Sequence, residues 1–226
     1  MVVIENCRKR LGPGVEFFCP AFHAPAGAQM ALWGPSGCGK STMLYLITGL
    51  LRPDEGIVRV DGIEIQGLRE GQLDRFRGER IGFIFQTFNL LRPFTALQNV
   101  LLGMRFSDTR PEKEWKPRAM ELLKRVCLDH RLHSKPATMS VGEQQRVAIA
   151  RALANKQTLV VADEPTGSLD PKTARGVMDL LLQLCEEEHV TLLLVTHDAA
   201  IAERCPRKFD CSGLVREVAL PGKEAV

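Results

Sequence analysis

An unbroken GPSGCGKS runs from Gly34 to Ser41 and is the clearest chemical statement in the 226-residue chain. Several backbone N–H groups in a tight glycine-rich turn can converge on a phosphate, and a helix that follows adds the positive end of its dipole. The stretch fills G-x-x-x-x-G-K-[ST] at every position and follows the apolar run Met30 to Trp33, as a strand–loop–helix unit requires. Lys40 is expected to reach the β- and γ-phosphates and the Ser41 hydroxyl to hold Mg²⁺. Gly34, Pro35, Ser36, Gly37, Cys38, Gly39 and Thr42 complete the expected cradle for a nucleoside triphosphate.

Three further strand ends carry side chains suited to phosphate chemistry. Leu159 to Glu164 reads LVVADE, an apolar strand closing on two carboxylates. Strand alternation sends those carboxylates to opposite faces, so they are expected to do different work. Asp163 suits the Mg²⁺ shell, and Glu164 suits orientation or deprotonation of an attacking water. Gln86 follows Ile81 to Phe85 and could touch metal and water without burying a charge. His197 follows Val190 to Thr196 and could place a hydrogen bond on the γ-phosphate. A glutamine or a histidine at a strand end is usually an ordinary loop residue. These two gain meaning from strands that should converge on one crevice. Finally, Ser140 and Gly142 open the run SVGEQQRVAIARALAN, whose helix N-terminus is a second anion-binding end. One chain with one cradle has no use for a second, so this end is expected to serve another molecule's nucleotide.

The elements that must hold these residues alternate. Residues 1–33 read as short strands broken at Gly12–Gly14 and at Pro25–Gly27. A helix is expected over 42–50, two short strands about Asp61-Gly62 over 56–65, and a strand over 81–85. From Thr95 to about Lys135 the pattern is helical and charged, with Met120, Leu123, Val126 and Cys127 as its apolar stripe. Helices are expected over 141–153 and 172–188 and strands over 158–162 and 190–196, while the tail from about Pro206 is weakly patterned. A helical block therefore interrupts an α/β core. The expected division is a nucleotide-binding core of residues 1–93 and 139–226 with a helical subdomain of 94–138, all in one domain.

Composition is that of an ordinary globular protein, 45% hydrophobic and 25% charged. A net charge of +3, evenly spread, gives no ground for a nucleic-acid partner. No apolar run approaches the roughly 20 residues of a membrane span, and MVVIENCRKR turns polar too soon for a secretory leader. The seven cysteines lack metal-like spacing and are expected to be reduced thiols, most of them buried, Cys127 and Cys185 included. Cys38, inside the phosphate loop, is expected to have a lowered pKa and to block nucleotide when alkylated.

Taken together, these residues resemble the ATP-binding subunit of an ABC transporter over nearly the whole chain. The resemblance makes GPSGCGKS the Walker A motif, Gln86 the Q-loop glutamine and Ser140-Val141-Gly142-Glu143 the signature. It makes Leu159 to Asp163 Walker B, Glu164 the catalytic glutamate, Ser168-Leu169-Asp170 the D-loop and His197 the switch histidine. It implies the phosphate-loop NTPase fold of the ABC ATPase type, α/β with an N-terminal antiparallel β region and an inserted helical subdomain. It also implies two copies closed head to tail on two ATP molecules with Mg²⁺, each signature capping the other's nucleotide. Ile81 to Val100 and Ala162 to Asp170 are similar to the MacB/LolD/DevA-like subfamily. Those ATPases work at the cytoplasmic face of the inner membrane with a separate integral membrane permease, and in some systems a periplasmic adaptor, to export or extract lipids, lipoproteins, antibiotics or glycolipids. A cell-division regulatory ATPase of the FtsE kind shares the body plan and is the alternative. Repair and chromosome heads carry a long coiled coil inside the core, and translation factors carry two such domains, so both fit poorly.

Three positions depart from the family pattern. Val141 stands where glycine is usual, and Glu143 brings a negative charge to a phosphate-binding end, so slow turnover is expected. The aromatic that stacks on the base should fall near Arg10 or Leu11, leaving Arg10, Phe17 or Phe18 as substitutes.

Overall fold

The computed structural model describes residues 1–218. Its organising element is a five-stranded parallel sheet, built from β3 (Gln29–Trp33), β6 (Ile81–Ile84), β7 (Leu159–Asp163), β8 (Thr191–Thr196) and β9 (Arg207–Asp210), in the order β6-β7-β8-β3-β9. Alternate residues along β7 and β8 enter two separate cores. Val160, Ala162, Leu192 and Leu194 face one; Leu159, Val161, Leu193 and Val195 face the other. Burial on both faces is why these strands read as continuous apolar runs in the sequence.

Over one face lies an antiparallel sheet, ordered β10-β2-β1-β4-β5. It comprises β1 (Val2–Gly12), β2 (Val15–Ala24), β4 (Glu55–Val60), β5 (Ile63–Glu64) and β10 (Val215–Glu217). Helix α1 (Lys40–Ile47) is wedged between the sheets, with Met43, Leu44, Leu46 and Ile47 wholly buried. The other face is covered by α3 (Ala96–Met104), α4 (Trp115–Arg125), α5 (Val141–Ala152) and α6 (Pro171–Glu187). Helix α2 (Glu70–Arg80) leads into β6, and the short α7 (Ala199–Ala202) follows β8.

Several expectations need correction. The strands before residue 33 are long, 11 and 10 residues in β1 and β2, because they pair along nearly their whole length around the Gly12–Gly14 turn. The apolar stripe of α4 is Ala119, Leu122, Leu123 and Val126, whereas Met120 is exposed. Cys127 is exposed as well, because the helix ends at Arg125 and Cys127 takes a left-handed φ of 60° that breaks the periodicity. The other six cysteines are buried free thiols. Beyond Pro206 the chain forms β9 and β10, one in each sheet. Among the described residues no helix is long and apolar enough to cross a membrane.

Candidate active site

The sheet order brings the predicted residues into a row. β6, β7, β8 and β3 are consecutive neighbours, all parallel, so whatever follows each strand emerges along one edge. Register keeps the ends level, with Ala162 opposite Ile84, Asp163 opposite Val195, and Thr196 opposite Trp33. Gln86, Asp163 with Glu164, His197 and the phosphate loop follow in that order.

Gly34 to Gly39 form the loop between β3 and α1, and Lys40, Ser41 and Thr42 are the first helical residues. Gly34, Gly37 and Gly39 have φ of 147°, 79° and 104°, values that side chains other than glycine rarely take. At Gly39 space forbids substitution too, since a Cβ would lie 2.9 Å from the Phe17 ring and 3.0 Å from Val215. The weakly patterned tail thus supplies, through Val215 of β10, part of the wall behind the cradle. Lys40 is buried, and its Nζ donates to the Gly34 and Pro35 carbonyls at 2.8 and 2.9 Å. The ammonium is therefore held within the loop it must serve. The Cys38 thiol is buried beside Gly34, 3.9 Å from Lys40 Nζ.

Ser41 Oγ donates to Asp163 Oδ1 at 3.2 Å, joining the ends of β3 and β7 through α1. Burial raises the Asp163 pKa above the ordinary aspartate value; the hydrogen bond from Ser41 lowers it less, and the neighbouring Glu164 adds to the rise. Glu164 departs from the strand reading. The strand stops at Asp163 and Glu164 adopts a left-handed φ of 48°, so a turn and not strand alternation aims its side chain. That turn carries Glu164 Oε1 to within 2.8 Å of His197 Nδ1. Its backbone is fixed from both sides, because Glu164 N–H donates to the Val195 carbonyl and Gly167 N–H donates to the Glu164 carbonyl. Gln86 is exposed, and its amide lies so close to Gly167 that a Cβ there would meet Nε2 at 3.2 Å. Gly167 was invisible as a site residue in the sequence because its role is purely to leave room.

Ser140 and Gly142 sit at the N-terminus of α5, and among the described residues no hydrogen bond joins them to the phosphate loop. Ser140 caps its own helix, accepting from Glu143 N–H at 3.2 Å, while Glu143 Oε2 accepts from Ser140 N–H at 2.8 Å. The other Glu143 oxygen accepts from Arg131 Nε at 3.1 Å. The bond from the Ser140 backbone, with Arg131 beside it, lowers the Glu143 pKa. The charge is therefore directed into a capping box and an ion pair, not toward a ligand. Glu143→Gln should change ATP turnover by less than about twofold, since the acceptor for Ser140 survives. Loss of a partly exposed, solvent-screened pair should lower the melting temperature by about 2–4 °C. A several-fold gain in turnover would show instead that the charge reaches the nucleotide. Gly142 packs against α6, where a Cβ would meet Thr173 Cγ2 at 2.8 Å, and Val141 is exposed.

The candidate base-stacking aromatics are not available. Phe17 is wholly buried under Gly39, and the Phe18 ring already carries the guanidinium groups of Arg8 and Arg216 at 4.4 and 4.3 Å. Arg10 is exposed at the end of β1, its backbone N–H on Asp54.

The donors at the row of strand ends suit Mg²⁺. Ser41 offers a hydroxyl and Asp163 a carboxylate within hydrogen-bond distance of each other, and Gln86 an amide oxygen from the neighbouring strand end. All are hard oxygen ligands. Among the described residues no group of three acidic, histidine or cysteine side chains could hold a metal alone.

The family profile for ABC transporters matches residues 20–167. The lipoprotein-releasing system ATP-binding protein LolD of Treponema pallidum is 49% identical over 189 residues, covering 84% of this chain and 83% of that protein. LolD 1 of Chlorobium chlorochromatii is 47% identical over 183 residues, covering 81% and 74%. Among solved structures, the ATP-binding cassette MJ0796, in a dimeric post-hydrolysis state with ADP and Pi, superposes with a TM-score of 0.81 at 39% identity, over 93% of this chain and 94% of that one. A phosphate loop, two acidic strand-end residues and a histidine on one sheet edge, in a chain nearly half identical to these ATPases, place it in the ABC transporter family as an ATP-binding, ATP-hydrolysing subunit.

Proposed function

We propose that two copies of this chain close head to tail on two ATP molecules and drive lipoprotein release or closely related envelope transport. They would work at the cytoplasmic face of a membrane, through a permease that is a separate chain. The observation that carries the reading is the 2.8 Å pairing of Glu164 with His197 beside the Ser41–Asp163 pair. Its support beyond the site is the name borne by the LolD relatives and the dimeric state of the MJ0796 cassette.

In this reading the loop N–H groups and Lys40 hold the phosphates, and Ser41, Asp163 and Gln86 hold Mg²⁺, which when bound offsets phosphate charge and polarises the γ-phosphoryl group. Glu164 takes the proton of the attacking water. His197 fixes the Glu164 carboxylate through Nδ1, which leaves its other ring nitrogen to hydrogen-bond the γ-phosphate. Ser140 exchanges its cap for the partner copy's nucleotide, which leaves the α5 N–H groups to complete the anion site. The lobe formed by 94–138 transmits closure to the permease.

The permease is assigned to a groove of about 590 Å³ between α2, β6 and the ends of α3 and α5. Arg77, Phe83, Phe85, Asn89, Phe106 and Arg151 line it, with Phe83 and Phe85 stacked at 4.0 Å and Phe106 67% exposed. Phe106→Asp should release the chain from the membrane fraction of cells, with ATP turnover of the purified protein unchanged, because an exposed side chain contributes little to folding. A wild-type chain found only in the soluble fraction alongside its co-expressed permease would refute the reading.

A further inference from the structure

Arg151, in the last turn of α5, spends its guanidinium on main chain. Nη1 donates to the Asn89 carbonyl at 2.6 Å and Nη2 to the Phe88 carbonyl at 2.7 Å. Both acceptors lie just after Gln86 and both hold left-handed backbone, with φ of 61° at Phe88 and 47° at Asn89. Phenylalanine enters that region only at a cost in energy, so something must hold it there. The turn itself adds two backbone bonds, from Phe88 N–H to the Phe85 carbonyl at 3.1 Å and from Asn89 N–H to the Thr87 carbonyl at 2.6 Å. Among the described residues no carboxylate pairs with Arg151. Its stem is braced by α3, where a Cβ at Gly103 would approach Arg151 Cγ to 2.9 Å. On the far side of the same turn the Gln86 amide rests against Gly167, which closes the Glu164 turn.

We infer that Arg151 is a positioning residue, a rigid two-pronged link through which displacement of α5 is passed to Gln86 and to the Glu164–Gly167 turn. The inference rests on the proposed function, in which the other end of α5 engages the partner's nucleotide. A planar fork with two parallel donors fixes both the place and the angle of the turn; a lysine, with a single point charge, fixes neither. Bonds from charged donors are among the stronger ones, so their loss should be measurable.

The test uses the full chain with Arg151→Met and Arg151→Lys. Asn89→Val serves as a third variant that disturbs the turn from its exposed side and leaves the half-buried guanidinium in place. Steady-state ATP hydrolysis and amide hydrogen exchange across residues 85–90 are measured together. In Arg151→Met, kcat should fall about tenfold with KM for ATP within about twofold, and the 85–90 amides should exchange about tenfold faster while β6 and α5 stay protected. Arg151→Lys should recover part of both, and Asn89→Val should move both in the same direction. Wild-type kcat and exchange in folded Arg151→Met or in Asn89→Val would overturn the link, as would exchange that rises equally throughout the domain. If the wild-type chain did not hydrolyse ATP, the proposed function would fall, and the exchange comparison would still decide whether Arg151 holds the Gln86 turn.

Discussion

Glu164→Gln should bind ATP as the wild type does and hydrolyse it slower by about 10²–10⁴-fold, the usual contribution of a positioned general base. The substitution keeps shape and hydrogen-bonding reach and removes only basicity. Nothing in the cradle changes, because Lys40 and the Gly34–Gly39 loop make no hydrogen bond to Glu164. The amide can still accept from His197, so the 2.8 Å contact is expected to persist. Phosphate release and equilibrium binding of a fluorescent nucleotide analogue would measure the two effects separately. Turnover above about a tenth of the wild-type rate would remove Glu164 from the proton-accepting role.

Asp163→Asn should produce opposite effects on stability and on activity. Burial holds the Asp163 pKa above its unfolded value, despite the hydrogen bond from Ser41. A carboxyl with a raised folded pKa favours folding most below the unfolded value of about 3.9 and loses that contribution as pH rises through the folded value. Ionising this half-buried carboxyl is therefore harder in the nucleotide-free fold than in the unfolded chain. Asparagine keeps the acceptor for Ser41 and removes the charge, so the melting temperature without nucleotide or metal should rise by about 2–4 °C at pH 7. The gain should shrink as pH falls toward 4. Mg²⁺-dependent turnover should drop by about 10²–10³-fold, since a half-buried carboxylate beside the phosphate loop is what favours a cation there. A variant that is less stable at pH 7 would show that the Ser41 bond outweighs burial. Such opposed effects are common where a site is built for a ligand and not for the empty fold.

Legibility of the chain follows burial and backbone constraint. GPSGCGKS could be read because the residues that shape the loop are also the ones expected to bind, and β7 and β8 because burial on both faces leaves mostly apolar side chains. Helix α2 gave no signal: EGQLDRFRGER buries only Leu73 and Phe76, and its charges mask the pattern. β9 and β10 are short, mostly exposed strands at the sheet edges, with too few residues to show a period. Side-chain directions set by turns were the least accessible. Glu164 faces His197 only because its φ is 48°, and no alternation rule contains that. The neutral reading of Glu143 needed Arg131, twelve residues away, and the availability of Phe17 and Phe18 depended on Gly39, Arg8 and Arg216. Each of these is a meeting of distant segments.

The measurement that bears most directly on the whole account is the solution mass of Glu164→Gln by light scattering, with and without Mg²⁺–ATP. A monomer of 25.1 kDa that doubles its mass on adding ATP would show that the α5 end, with Val141 exposed and Glu143 held by Ser140 and Arg131, still closes on a partner's nucleotide. A protein saturated with ATP and still at the monomer mass would contradict head-to-tail closure as the working state of this chain.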